Sequence, residues 1–128
     1  MLFILMVQCY AYGNDSDIYN AEKFFKLAID ANPRGAYLWA QYAIALASRK
    51  KHIHLAKEYA NEAERVYYKY GNNFSWELAK IKFAQARACR FENAGKALQL
   101  YDEACSLDKT NSYGKAKNEK FIRTGYCD

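Results

Sequence analysis

His52 and His54 stand two residues apart, just after Arg49, Lys50 and Lys51. Paired imidazoles can ligate a metal ion, and the cations beside them can meet phosphate or an acidic partner. A zinc site needs at least three protein ligands at set spacings, and no third ligand lies near. The cluster reads first as a solvated basic turn and second as an anion contact. Cys9, Cys89, Cys105 and Cys127 form no Cys-x-x-Cys pair or other metal spacing. They are expected to be reduced thiols. Cys9 and Cys105 fall where small residues pack a helix. A disulfide framework is not expected in a helical domain with a sizeable core. Glu62 and Glu64 are close in sequence but lie on different faces of a helix, so they do not form a paired acid–base site. No glycine-rich phosphate loop, nucleophile elbow or zinc motif occurs. The chain is therefore expected to be no enzyme and to need neither cofactor nor metal.

Two further groups have recognition chemistry. Lys115, Lys117, Lys120 and Arg123 line one C-terminal stretch with Tyr113 and Phe121. Such a set can bind RNA. It can equally place cations at a helix C-terminus and rings against the preceding helices. Tyrosine occurs 12 times, and Tyr67, Tyr68 and Tyr70 sit together. Tyrosine suits interfaces because it buries area at low entropy cost. The alternative is a packed helix end beneath the turn that follows. The net charge of +5 favours acidic partners only mildly and does not single out nucleic acid.

The elements that must position these residues are helices. The 128 residues are 52% apolar, with one proline and six glycines. That supports one domain with a filled core. No stretch alternates apolar and polar residues between turn dipeptides, so strands are not expected. Helices are predicted over 2–12, from an Asp17 cap to 32, and over 35–49, 53–70, 75–90, 94–107 and 112–123. A turn is read at residues 13–16 and a hairpin turn at 50–52. Pro33 cannot continue the second helix. Gly71 suits a left-handed C-cap. Six of the side chains expected to be buried at helix contacts are Phe25, Trp39, Tyr42, Tyr59, Phe83 and Tyr101.

One helix-spaced series recurs three times, small–large–small in its first and third copies and all alanine in its second. Ala21, Phe25 and Ala28, then Ala56, Ala60 and Ala63, then Ala97, Tyr101 and Ala104 share the same four-then-three spacing. Pro33, Tyr68 and Lys109 follow each series five residues on. Residues at such steps share one helix face, and small ones let a neighbouring helix approach closely. Upstream of the second series, Trp39, Tyr42, Ala43 and Leu46 carry a large–large–small–large pattern. Leu5, Cys9 and Tyr12 match it in part, as do Phe83 and Ala84, with Gln8 and Arg87 departing from it.

These residues resemble the tetratricopeptide repeat, whose unit is two antiparallel helices with a period near ~34 residues. The resemblance implies an all-α right-handed α-α superhelix. Three helix hairpins would span 2–33, 36–70 and 74–110, with a closing helix at 112–123 and a single domain over 1–128. It also implies a concave groove lined by the first helix of each pair, presenting Phe3, Met6, Tyr10, Tyr37, Gln41, Ile44, Lys82 and Gln85. One subfamily clamps a chaperone's C-terminal carboxylates with Lys, Asn and Arg. Here Met6, Tyr10, Gln41, Leu78 and Lys82 stand at the matching places, and only Lys82 keeps the charge. An aromatic and apolar groove fits an amphipathic helix or an extended peptide better.

Residues 1–7 are apolar throughout. The run is too short for a membrane span and lacks the features of a signal peptide. It is read as the inner face of the first helix, covered by a second copy or a partner. The expected function is a cytoplasmic protein–protein interaction scaffold that takes a protein or peptide partner. Homo-oligomer formation through the first helix is one route, and no membrane is involved. The alternative is an RNA-associated module. Residues 38–43 with Leu55 and Ala56 resemble the half-a-tetratricopeptide repeat of RNA-processing factors, although Ala45 and Lys57 depart from that pattern.

Overall fold

A computed structural model describes residues 15–107. The expectations for 2–12 and 112–123 lie outside the described residues. So do Phe3, Met6, Tyr10, the covered N-terminal face and the oligomer through it. Cys9, Cys127, Tyr113, Phe121 and the cations Lys115, Lys117, Lys120 and Arg123 lie outside them as well.

Alanine is the best helix former, and its small side chain admits a neighbouring backbone. Its spacing accordingly sets both the elements and their contacts. Five helices form: α1 (Asp15–Ala31), α2 (Ala36–Leu46), α3 (Ile53–Lys69), α4 (Ser75–Cys89) and α5 (Ala94–Leu107). A 3-10 turn, Lys50–His52, precedes α3, and no strand occurs among the described residues. The chain is all-helical there. The helices α2 and α3 pack as one pair and α4 and α5 as a second, while α4 also packs on both helices of the first pair. The recurring series is the buried seam. All nine side chains of Ala21–Phe25–Ala28, Ala56–Ala60–Ala63 and Ala97–Tyr101–Ala104 are buried. Pro33 and Tyr68, which follow the first two series, are exposed, and Lys109 lies outside the described residues.

Two apolar clusters form the core. One gathers Phe25, Tyr42 and Leu46 between α1, α2 and α3. The other gathers Ile81, Phe83 and Tyr101 around α4. Trp39 and Tyr59 touch both clusters but are only half-buried, which corrects the expectation that they are fully enclosed. Their rings form the outer edge of the join, where a cleft beside α1 leaves one side open.

Helix boundaries differ from expectation at two places. Asp15 and Ser16, read as turn, and Asp17, read as a cap, all lie inside the first described helix. The next helix stops at Leu46 instead of continuing to 49. There the bonding steps tighten from four residues to three: the Ser48 N–H reaches Ala45 O at 3.2 Å and the Arg49 N–H reaches Leu46 O at 3.1 Å. The Ser48 hydroxyl also donates to Ala45 O at 2.7 Å. No glycine or proline marks this exit.

Candidate partner-binding surfaces

One end of the helix pairs is organised by a glycine. Gly71 has φ of 67°. Its N–H reaches Tyr68 O at 3.2 Å and the Asn72 N–H reaches Tyr67 O at 3.0 Å, the paired bonds that close a helix with a left-handed residue. This turn aims Asn72 back across the structure. The Asn72 amide donates to Arg34 O at 2.9 Å and to Glu77 Oε1 at 3.1 Å. Glu77 Oε2 in turn accepts the Tyr37 N–H at 2.9 Å. That N–H belongs to the first turn of α2 and has no partner within its own helix. A carboxylate from α4 thus caps α2, forty residues away in sequence. Glu77 is buried, and burial raises its pKa, while the Tyr37 and Asn72 donors oppose the rise.

The opposite end carries the complementary charge. Arg90 is buried, and its guanidinium donates to Arg87 O at 2.7 Å and Ala47 O at 2.8 Å. It also lies 4.3 Å from the Phe91 ring centre. Glu77 ties the N-termini of α2 and α4, and Arg90 ties their C-termini. The two helices therefore run parallel, with an acid at their positive ends and a base at their negative ends.

This scaffold raises a terrace of rings at the Glu77 end. Tyr37 and Trp76 lie 5.8 Å apart, and Trp76 and Phe74 stack at 6.2 Å with 29° between their planes. Phe74 is 60% exposed, Trp76 45% and Tyr68 62%. Tyr68 meets Tyr67 edge-on at 5.1 Å, and Tyr67 is buried with its hydroxyl donating to Phe74 O at 3.4 Å. Arg34 and Lys69 stand 5.7 Å and 5.2 Å from the Tyr70 ring centre. The clustered tyrosines thus divide between two roles: Tyr67 packs the helix end, and Tyr68 faces outward. Phe74 and Trp76 were absent from the sequence-based site. Their signal was two large rings directly after the polar turn at residues 71–73, at the start of a helix.

Five of the expected groove residues are described, and these five do not share one surface. Tyr37 is half-buried and belongs to the terrace. Gln41 and Ile44 are buried, Gln41 accepting from the Lys80 ammonium at 2.7 Å. Burial lowers the pKa of Lys80. Lys82 and Gln85 line a different cleft of about 280 Å³ between α3, α4 and α5. There Lys82 meets Glu64 at 3.1 Å and Glu103 at 3.8 Å. These are half-exposed pairs that hold the helices together rather than a charge awaiting a ligand.

In the basic turn, Lys51 and His54 are exposed and Arg49 and His52 are half-buried. No group of three His, Cys, Asp or Glu suited to a metal ion occurs among the described residues. Cys89 and Cys105 are free thiols. Cys89 is buried, burial raises its pKa, and its thiol leans on Ala86 O at 3.6 Å, an unreactive setting. No described helix is long and apolar enough to cross a membrane. No protein-family model, curated protein or solved structure matches this chain.

Proposed function

We propose that this chain is a non-catalytic protein-interaction scaffold of the tetratricopeptide type, a cytoplasmic α-α superhelix built from stacked helix hairpins. The buried seam at one shared spacing, Ala-Phe-Ala in α1, Ala-Ala-Ala in α3 and Ala-Tyr-Ala in α5, supports the hairpin reading. The observation that carries the binding role is the ring terrace. Phe74 and Trp76 stack and expose large apolar surface together, with Tyr68 exposed at the end of the preceding helix, over a base held by Glu77 and Asn72. Apolar rings grouped on a surface mark an interaction site, and pre-ordered rings lose little entropy on binding. The partner is a protein that presents an apolar helix face or an extended segment.

Replacing Phe74 and Trp76 together with serine removes the terrace without touching a fully buried residue. Co-purification of the partner should fall at least tenfold while the melting temperature stays near that of the parent. Unchanged capture by the double variant would contradict the role.

A second reading has its own observation. Arg34 and Lys69 both lie over the Tyr70 ring, just before the turn that leads to Phe74, and surfaces for single-stranded nucleic acid combine cations with aromatic rings in this way. Capture that is lost on nuclease treatment and weakens steeply with salt would favour an RNA-associated module instead.

A further inference from the structure

A second site lies away from the terrace, where α1 meets α2 and α3. Glu22 is half-buried there and accepts two phenol hydrogens, from Tyr42 at 3.0 Å and Tyr59 at 2.6 Å. Burial and the adjoining carboxylate push both phenols above their ordinary range, so both remain protonated donors. The two bonds fix the position of the Glu22 carboxylate. Beside it opens a cleft of about 210 Å³ walled by Phe25, Ile29, Trp39 and Tyr59. The indole of Trp39 stands nearly perpendicular to both neighbouring rings, at 82° to Phe25 and 78° to Tyr59. Asp30 also lines the cleft, and so does Lys26. Two carboxylates against one ammonium make this spot acidic on a chain whose net charge is +5.

Aromatic and aliphatic walls favour a hydrocarbon stem. Ring faces attract a cation within about 6 Å. The two lining carboxylates, Glu22 and Asp30, give the charged head its acceptors, since Glu22 keeps lone pairs beyond those the phenols use. A neutral apolar group would leave these acceptors unmet, and an anion would be repelled. We infer that this cleft receives one cationic side chain, lysine or arginine, from a partner peptide. The inference rests on the protein-scaffold reading, but it places a specificity pocket on a face separate from the terrace.

The test uses the full chain labelled with ¹⁵N. It is titrated with n-butylammonium, with n-butylguanidinium and with neutral 1-butanol. The chain has two tryptophans, so Trp39 reports on the cleft and Trp76 on the terrace. The Trp39 indole N–H should shift and saturate with a cation, respond weakly to butanol, and do so while the Trp76 indole stays still. A larger response to the ammonium assigns lysine, and a larger response to the guanidinium assigns arginine. Glu22→Gln keeps an acceptor for the tyrosines and should weaken cation binding about tenfold or more. Lys26→Ala, at an exposed position, removes the competing cation and should strengthen it. Equal response to butanol would overturn the inference. So would full cation binding by Glu22→Gln, or a shift confined to Trp76. Each of these results leaves the Phe74 and Trp76 test of the scaffold role untouched.

Discussion

Arg90→Ala should lower the unfolding free energy by about 3 kcal/mol, with the urea midpoint falling in proportion. The guanidinium is buried and supplies hydrogen bonds to Arg87 O and Ala47 O. Truncation leaves two carbonyls at helix ends without these donors, in a place water reaches poorly. It also removes the cation that faces the negative ends of α2 and α4. Arg90→Lys should recover only part of the loss. A single ammonium cannot reproduce the planar fork that reaches both oxygens and lies against Phe91. A loss below about 1 kcal/mol for the alanine variant would mean that the tie is incidental, because a net bond of that size is ordinary at a surface.

Tyr101→Ala should cost about 3–5 kcal/mol, the usual range for emptying a large aromatic site. Tyr101 is 0% exposed and its ring centre lies 5.8 Å from that of Phe83. It is the large member of the third copy of the series, and it joins α5 to α4. Phe would restore the ring, so Tyr101→Phe should stay within about 1.5 kcal/mol of the parent in the same denaturation experiment. If alanine and phenylalanine variants melt together with the parent, the α4–α5 contact is not the one that the seam defines.

The helices and their seam were readable because they rest on local spacing. Ala97, Tyr101 and Ala104 share a face whatever the rest of the chain does, and the predicted span 94–107 matches α5. The candidate groove was not readable in the same way. The segment Ala36–Leu46 is apolar nearly all round, so its periodicity does not say which side faces water. Gln41 and Ile44 were accordingly assigned to an open face, yet both are buried. The ties at the helix ends depend on residues distant in sequence. Glu77 caps α2 from forty positions away, and Arg90 reaches Ala47 from forty-three. No local pattern announces such a bond. The Glu22 cleft likewise draws on three helices, and its carboxylate shows nothing in sequence that sets it apart from other surface acids.

The binding role is tested most directly by site-specific photo-crosslinking. A photoreactive phenylalanine analogue is placed at Trp76, on the terrace, and in a second sample at Gln99, an exposed position on α5. Irradiation in an extract, with and without nuclease, should give from position 76 a discrete protein adduct that survives nuclease and is suppressed by Phe74→Ser in the same chain, and none from position 99. Equal labelling from both positions, or an adduct at 76 that disappears with nuclease, would contradict a protein-binding terrace.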